Sequence, residues 1–474
     1  MMLLKKLVPI CLLLVTMMPS VAAQSKEDSR GSIFANQSLL SPIFEKLYNL
    51  EKNKKGKINI VHIGDSHIQA DFFTNTIRMA LQGKFGNGGF GFTFPYSLVR
   101  TNGTYYVKYV SNAPWESLRN VSPVADVGVG LSGIALYTSS QDFMLQLSAR
   151  EEYEFNRIKI IYPDEQAHYR MSVTADALEV SGGSTSGISS GTAVKYHTVK
   201  SGESLSTISR KYGVTVNQIK SANGMKSDLI KPKQRLKIPG KGKVKPKVVK
   251  AVTRETNIKE EDLDFVNLES RPYCSSYTSD SLLDRITILP DKKSAMYNLN
   301  GFVIENNKPG IVYHTIGVNG AKMSDYNKYP LFFKQLPLLE PDLIILSFGT
   351  NESYGKLSDT EYTYQLAEFV NNIKKLNSKA TILVMTPPPS LFPRRRSNPY
   401  VASYSVALRG LTNLPVWDLF SRMGGESGIR PRGEYSKMIA RDNVHYTTQG
   451  YEAQGQLFSS DFIGAYNYFK NTKN

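Results

Sequence analysis

Apolar residues Leu40, Ile43, Leu47 and Leu50 recur at helical spacing and predict an amphipathic helix over Ser38–Leu50. The run "KINIVHIGDSH" then predicts a short buried strand that ends in a Gly-Asp-Ser turn. A second helical face follows, through Phe73, Ile77, Ala80 and Leu81. Between about Tyr105 and Val180 the texture changes to short aromatic and β-branched runs such as "TYYVKYV", "FMLQLSA" and "FNRIKIIY". That composition predicts a β-sandwich. β-like text resumes at Leu263 and lasts to about Ile311. Strands and helices alternate from there: "GIVYHTIGVNG", "PDLIILSFGTN", a helix through Leu366, Phe369, Val370, Ile373 and Leu376, the strand "ATILVMTPPP" and a helix after Gly450. Such alternation predicts a parallel α/β sheet, here interrupted by a β-rich insertion.

The insertion is itself interrupted. "SGGSTSGISSGTA" (181–193) has linker composition, and 241–262 reads as a basic linker. Between them, Tyr196–Pro239 reads β-α-α-β: "YHTV", "SLSTISRKYG", "TVNQIKSANG" and "QRLKIP". The expected organisation is 24–98 and 311–474 for the α/β domain, 99–180 and 263–310 for the β-rich insert, and 194–240 for the small module.

Charge sharpens this picture. The net formal charge is +17, yet 195–250 holds 15 Lys/Arg against Glu203 and Asp228 alone. The protein is thus a near-neutral body with one strongly basic insert. A basic total suggests nucleic acid or an anionic surface. The first residues decide between them. Lys5 and Lys6 precede a short apolar stretch and a Val21-Ala22-Ala23 end, which reads as a secretory signal peptide over 1–23. The apolar stretch is too short to span a bilayer, and no later run reaches the ~20 apolar residues a transmembrane helix needs. Cys274 is then the one cysteine left after cleavage, which leaves no internal disulfide; a small buried hydrophobe is the expected role.

The chain has no metal-ligand spacing, so the candidate chemistry is nucleophilic. The literal G-x-S-x-G at Gly187–Gly191 lies in a Ser/Gly linker, without the strand and helix that hold such an elbow. Ser66 is better placed: a strand delivers it to the carboxyl edge of the sheet, where open α/β sheets bind ligands. It needs a base. His62, His168 and His314 fall in or beside strands, His67 adjoins the serine and His197 belongs to the small module, which leaves His445 in "RDNVHYTTQG". Asp442, three residues earlier, can hold Nδ1 on a tight loop, although D-x-x-H by itself also fits a solvated loop. An oxyanion needs donors. Gly320 and Asn351 each follow a strand, and each is also compatible with a turn glycine or a helix cap.

Together, "GDS" at Ser66, Gly320, "GTNE" at Asn351 and "DNVH" at Asp442–His445 resemble the four blocks of the SGNH (GDSL-type) esterase superfamily. The resemblance implies a flavodoxin-like α/β sheet and a serine esterase, with Ser66, Asp442 and His445 catalytic. The Ser66 and Gly320 N–H groups and the Asn351 amide would bind the oxyanion. "GDSHIQADFFT…FGNGGFGF" resembles the peptidoglycan O-acetylesterases of that superfamily, and the glycine-rich run is expected at the active-site rim. Tyr196–Pro239 closely resembles a LysM module, which implies binding of N-acetylglucosamine-containing glycan. The implied groove loops contain Gly202, Glu203, Ser204 and Leu205, then Asp228, Leu229 and Ile230, while Ile208, Tyr212, Ile219, Leu229, Leu236 and Ile238 read mostly as core. The expectation is an exported acetylesterase of the periplasm or cell envelope, with peptidoglycan as partner, no nucleic acid and no cofactor or metal. An esterase or acetyl transferase on another envelope glycan, and a non-catalytic wall-binding protein, are the alternatives. Arg394-Arg395-Arg396 reads either as a contact for anionic polymer or as a solvated loop.

Overall fold

A computed structural model describes residues 33–123, 127–181 and 253–473, together with parts of 188–239. The expected signal peptide, most of the Ser/Gly linker and residues 240–252 lie outside the described residues. At the centre is a sheet built on five parallel strands: β1 (Lys57–Gly64), β2 (Gly310–Gly317), β3 (Leu343–Ser347), β4 (Thr381–Met385) and β5 (Val416–Trp417). Their order is β5-β4-β3-β1-β2, with Asn87–Gly89 added parallel beside β2 and Phe34–Ala35 antiparallel beside β5.

These strands are apolar on both faces because both faces are covered. Side chains alternate across a strand, and the two cores follow that parity. Ile58, Ile60, Leu343, Ile345 and Leu383 join one core with helices α1 (Ser41–Asn53), α2 (Phe72–Phe85) and α5 (Thr448–Asn471). Val61, Ile63, Ile344, Leu346, Ile382 and Val384 join the other, with α3 (Asp359–Leu376), α4 (Pro399–Arg409) and the β-rich body. The insert therefore shares a continuous apolar core with the α/β domain.

The β-rich body forms three largely antiparallel sheets of five, four and five strands. Its outline departs from expectation in two places. Gly91–Thr93 pairs with Gly301–Glu305, so the body takes in residues ahead of 99. Residues 254–258, expected in the basic linker, pack on it: the Arg254 N–H donates to the Asn112 carbonyl, and Thr256 bridges Val180. The glycine-rich run is not at the active-site rim. Asn87–Gly89 lies beside the start of β2, at the sheet edge opposite Ser66, with Phe90 and Phe92 buried. Aromatic burial, not ligand contact, fixes this segment.

Within 194–239, Val194–Thr198 pairs antiparallel with Arg235–Pro239 around helices Leu205–Tyr212 and Val216–Ala222. Ile208, Ile219, Leu236 and Ile238 form its core, with Tyr212 packed against it. Cys274 is buried, and desolvation pushes its thiol up to about 11, as expected of an inert hydrophobe. Among the described residues, no helix is long and apolar enough to cross a membrane.

Candidate active site

Strand β1 ends at Gly64, and the chain turns at once into a short helix, Ser66–Gln69. Gly64 is what the turn tolerates: a Cβ there would lie 2.5 Å from the Ser347 carbonyl oxygen of β3. Asp65 caps the helix by accepting the His67 N–H at 2.9 Å. Ser66 is the first residue of that helix and half-buried, so its hydroxyl looks out from the carboxyl edge of the sheet. A buried ion pair fixes α2 just behind it. Both guanidinium Nη atoms of Arg78 donate to the Asp71 carboxylate, at 2.8 and 3.0 Å, and Nη2 also reaches Thr315 of β2.

The loop before α5 brings in the partner, 379 residues away in sequence. His445 Nε2 lies 2.9 Å from Ser66 Oγ, and His445 Nδ1 lies 2.7 Å from Asp442 Oδ2. The other Asp442 oxygen accepts the Val444 and His445 backbone N–H groups, each at 2.9 Å. Burial works against the Asp442 charge, but the hydrogen bonds from the His445 ring and those N–H groups outweigh it and hold the carboxyl below its ordinary range. Asp442 therefore stays ionised and fixes Nδ1 as the protonated nitrogen, which leaves Nε2 free to take the serine proton.

Gly320 stands in the turn after β2 with φ +84°, a left-handed conformation that favours glycine. A Cβ there would meet nothing within 4 Å, so the turn opens onto free space. Among the described residues, neither the Ser66 nor the Gly320 backbone N–H has an acceptor. Asn351 is the second residue of helix Thr350–Tyr354, not its cap; Gly349 is. Its side chain instead crosses to Ala321, donating to the carbonyl at 3.0 Å, with Asp65 Oδ2 at 3.4 Å. The structure thus brings Ser66, Gly320, Asn351, Asp442 and His445 to one edge of the sheet.

Three further residues are part of this constellation. Gln69 is buried, and its Oε1 accepts the Asn319 N–H at 2.7 Å while Nε2 donates to Thr101 and Asn102. It ties the Gly320 turn to the neck of the β-rich insert. Its position three residues after the serine was the available signal. His67 packs its ring 5.4 Å from that of His445 and receives or donates a hydrogen bond at Tyr451. Burial first, then the His445 charge, lowers its pKa to about 3, so it is neutral. Glu352 is buried and accepts the Met323 and Gly349 N–H groups, joining the loops that carry Gly320 and Asn351.

The remaining candidates are dispersed. His62 and His314 are buried in the sheet; His62 Nε2 lies 2.6 Å from Ser347 Oγ, and His314 Nδ1 accepts the Phe92 N–H. Ser189 lies in a two-residue strand beside Glu116–Ser117, and the residues on either side of that strand lie outside the described residues. In the small module, Gly202, Asp228 and Leu229 lie outside the described residues. Glu203 is bonded to His197 at 2.7 Å, and Ser204 is exposed. Leu205 is buried in the module's core and Ile230 packs against it. Among the described residues, no three His, Cys, Asp or Glu side chains converge as a metal-ligand set.

Residues 293–453 match the GDSL-like lipase/acylhydrolase family, a span that holds Gly320, Asn351, Asp442 and His445 but not Ser66. Residues 197–239 match the LysM domain. The chain therefore carries a GDSL-like lipase/acylhydrolase domain and a LysM domain. It is 59% identical over 44 residues to an N-acetylmuramoyl-L-alanine amidase, sle1, of Staphylococcus haemolyticus, covering 9% of this chain and 13% of that protein. It is 36% identical over 103 residues to the probable peptidoglycan endopeptidase LytE of Bacillus subtilis, covering 21% and 29%. The chain thus spans less than a third of either relative. A solved structure described as "Peptidoglycan O-acetylesterase in action, 5 min" superposes with a TM-score of 0.60 over 92% of this chain and 100% of its own, at 18% identity. That likeness establishes the fold, an SGNH hydrolase fold.

Proposed function

We propose that the protein is an exported serine esterase that removes acetyl groups from peptidoglycan and is held on its polymer by the LysM module. The observation that carries this reading is the continuous relay Asp442–His445–Ser66, with spacings of 2.7 and 2.9 Å, on a chain that also holds a LysM domain. In the reaction, Ser66 Oγ bonds to the acetyl carbonyl carbon as His445 Nε2 takes the hydroxyl proton. The Ser66 and Gly320 N–H groups and the Asn351 amide receive the developing oxyanion. The sugar oxygen leaves with the proton from His445. Water, deprotonated by the same nitrogen, then attacks acetyl-Ser66; the acetyl–oxygen bond breaks, acetate leaves and His445 returns the proton to Ser66 Oγ.

The test is acetate release from O-acetylated peptidoglycan by the wild type and by Ser66→Ala. The proposal expects release from the wild type alone. Equal release from both would refute the mechanism. Hydrolysis of a small aryl acetate without release from the polymer would leave an esterase with another substrate.

A further inference from the structure

The arginine run at 394–396 is neither free loop nor structural filler. Leu391–Phe392 and Arg396–Ser397 pair as a small hairpin that spans two of the segments forming the active site. On one side, the Leu391 N–H donates to the Asn443 carbonyl at 2.8 Å, and Arg395 Nη1 donates to Asn443 Oδ1 at 3.2 Å. Asn443 is the residue that follows Asp442. On the other side, the Tyr354 hydroxyl donates to the Leu391 carbonyl, and the Tyr354 and Phe392 rings lie 5.3 Å apart. Tyr354 sits three residues past Asn351.

The hairpin tip holds Arg394 and Arg395 in the left-handed region, with φ of +62° and +55°, a conformation that costs energy for any residue with a Cβ. Arg395 is occupied by Asn443 and the Ile429 carbonyl. Arg394 and Arg396 are exposed, and Arg396 Nε donates to the Pro393 carbonyl at 3.3 Å. Lys356 lies over the Phe392 ring, and Arg441 directly precedes Asp442; both are exposed. Among the described residues, none of Lys356, Arg394, Arg396 and Arg441 pairs with a carboxylate. Of the nearby acids, Glu426 is paired with Arg430 and bonded to Ser397, while Asp442 keeps its charge and accepts from His445, so it offsets one of the four cations. Four exposed cations thus gather on the segments next to Asn351 and His445, with the single ionised carboxylate of Asp442 among them.

Like charges gathered in excess of their counter-charge repel one another and attract an anionic ligand. We propose that this rim is a carboxylate subsite, which binds the free carboxylates of the polymer's peptide stems while the acetylated sugar lies over Ser66. Arg394 and Arg396 are its principal donors and Arg395 its anchor. The proposal rests on the reading that the substrate is peptidoglycan.

The experiment uses the full chain, wild type and Arg394→Gln/Arg396→Gln, on two forms of O-acetylated sacculi: native, and with carboxylates capped as neutral amides. Each rate of acetate release is divided by that enzyme's rate on p-nitrophenyl acetate. In the wild type, capping is expected to lower the normalised rate about tenfold. The double variant is expected to start about tenfold lower on native sacculi and to lose little more on capping, although its LysM module keeps every charge. An equal native-to-capped ratio in the two enzymes overturns the subsite. No acetate from either sacculus with wild type, alongside active ester hydrolysis, overturns the subsite together with the peptidoglycan reading.

Discussion

Truncating Asn351 to alanine separates the oxyanion role proposed for its side chain from the structural role that its bond to Ala321 shows. The amide nitrogen carries two hydrogens. One is bonded to the Ala321 carbonyl at 3.0 Å; the other faces Asp65 Oδ2 at 3.4 Å, too long for a good hydrogen bond. The weakly used hydrogen is the one available to a developing oxyanion. Loss of one such donor typically costs ~2.7–4 kcal/mol of barrier, or roughly 10²–10³ in kcat. The well-used hydrogen props the Gly320 turn, and its loss leaves the Ala321 carbonyl unsatisfied at a cost of ~1–3 kcal/mol in stability. Asn351→Ala is therefore expected to lower kcat on an aryl acetate at least about a hundredfold with little change in KM, and to lower the unfolding midpoint. Both are measured on one preparation, by steady-state kinetics and thermal unfolding. A folded variant whose kcat stays within about threefold of wild type refutes the oxyanion role. A drop in kcat with no change in midpoint refutes the structural one.

Asp442→Ala removes the group that orients His445, and kcat is expected to fall roughly 10²–10⁴-fold, read on the same ester. Arg78→Met leaves the Asp71 carboxylate buried and unpaired, so urea unfolding is expected to show a loss of ~3–5 kcal/mol, partly recovered in Asp71→Asn/Arg78→Met. Stability is expected to depend on two buried carboxyls. Burial raises Glu352 to about 7, and burial with the Glu352 charge raises Asp65 to about 8. Between the ordinary carboxyl range and those values the folded state keeps protons the unfolded state has lost, so stability falls as pH rises through that window and levels off above it. Glu352→Gln is expected to flatten the fall in unfolding midpoint between pH 5 and pH 9, and an unchanged slope would refute the assignment. Deleting 194–240 is expected to weaken retention on sacculi far more than hydrolysis of a small ester, measured by pelleting and by rate.

What the sequence made legible is what depends on local pattern. The apolar runs in "KINIVHIG" and "PDLIILS" read as buried strands, and the structure buries them with alternate residues in two cores. Residues at strand exits were legible for the same reason, since a strand's end is local even when its partner is 379 residues away. Contacts that no period encodes were not. Phe90 and Phe92 alternate through a glycine-rich run that looks like a loop until Gly91–Thr93 pairs with Gly301–Glu305. Gln69 reads as one polar helix residue among many. Its importance lies in Asn102 and Asn319, 33 and 250 residues away. His67 reads in the sequence as no more than a neighbour of the serine, yet that adjacency at a tight turn packs it against His445.

The exposure of the relay bears on how such a site can be selective. The His445 and Asp442 side chains remain 42% and 51% exposed, so the base and its orienter face an open cleft and not a closed pocket. An acetyl group is small: burying its one methyl is worth on the order of 1 kcal/mol. That is too little to distinguish one ester from another or to hold a substrate in register. Selectivity at such a site must come from binding energy gathered away from the reacting carbonyl and expressed in the transition state. On the reading proposed here for the protein, the LysM module and the arginine rim gather it in different ways. A tether raises the local concentration of polymer without choosing which ester is attacked. A contact directly beside Asn351 and His445 chooses the ester. Loss of the module would thus lower rates alike on charged and neutralised forms of a polymer the module binds, whereas loss of the rim would change the preference between them.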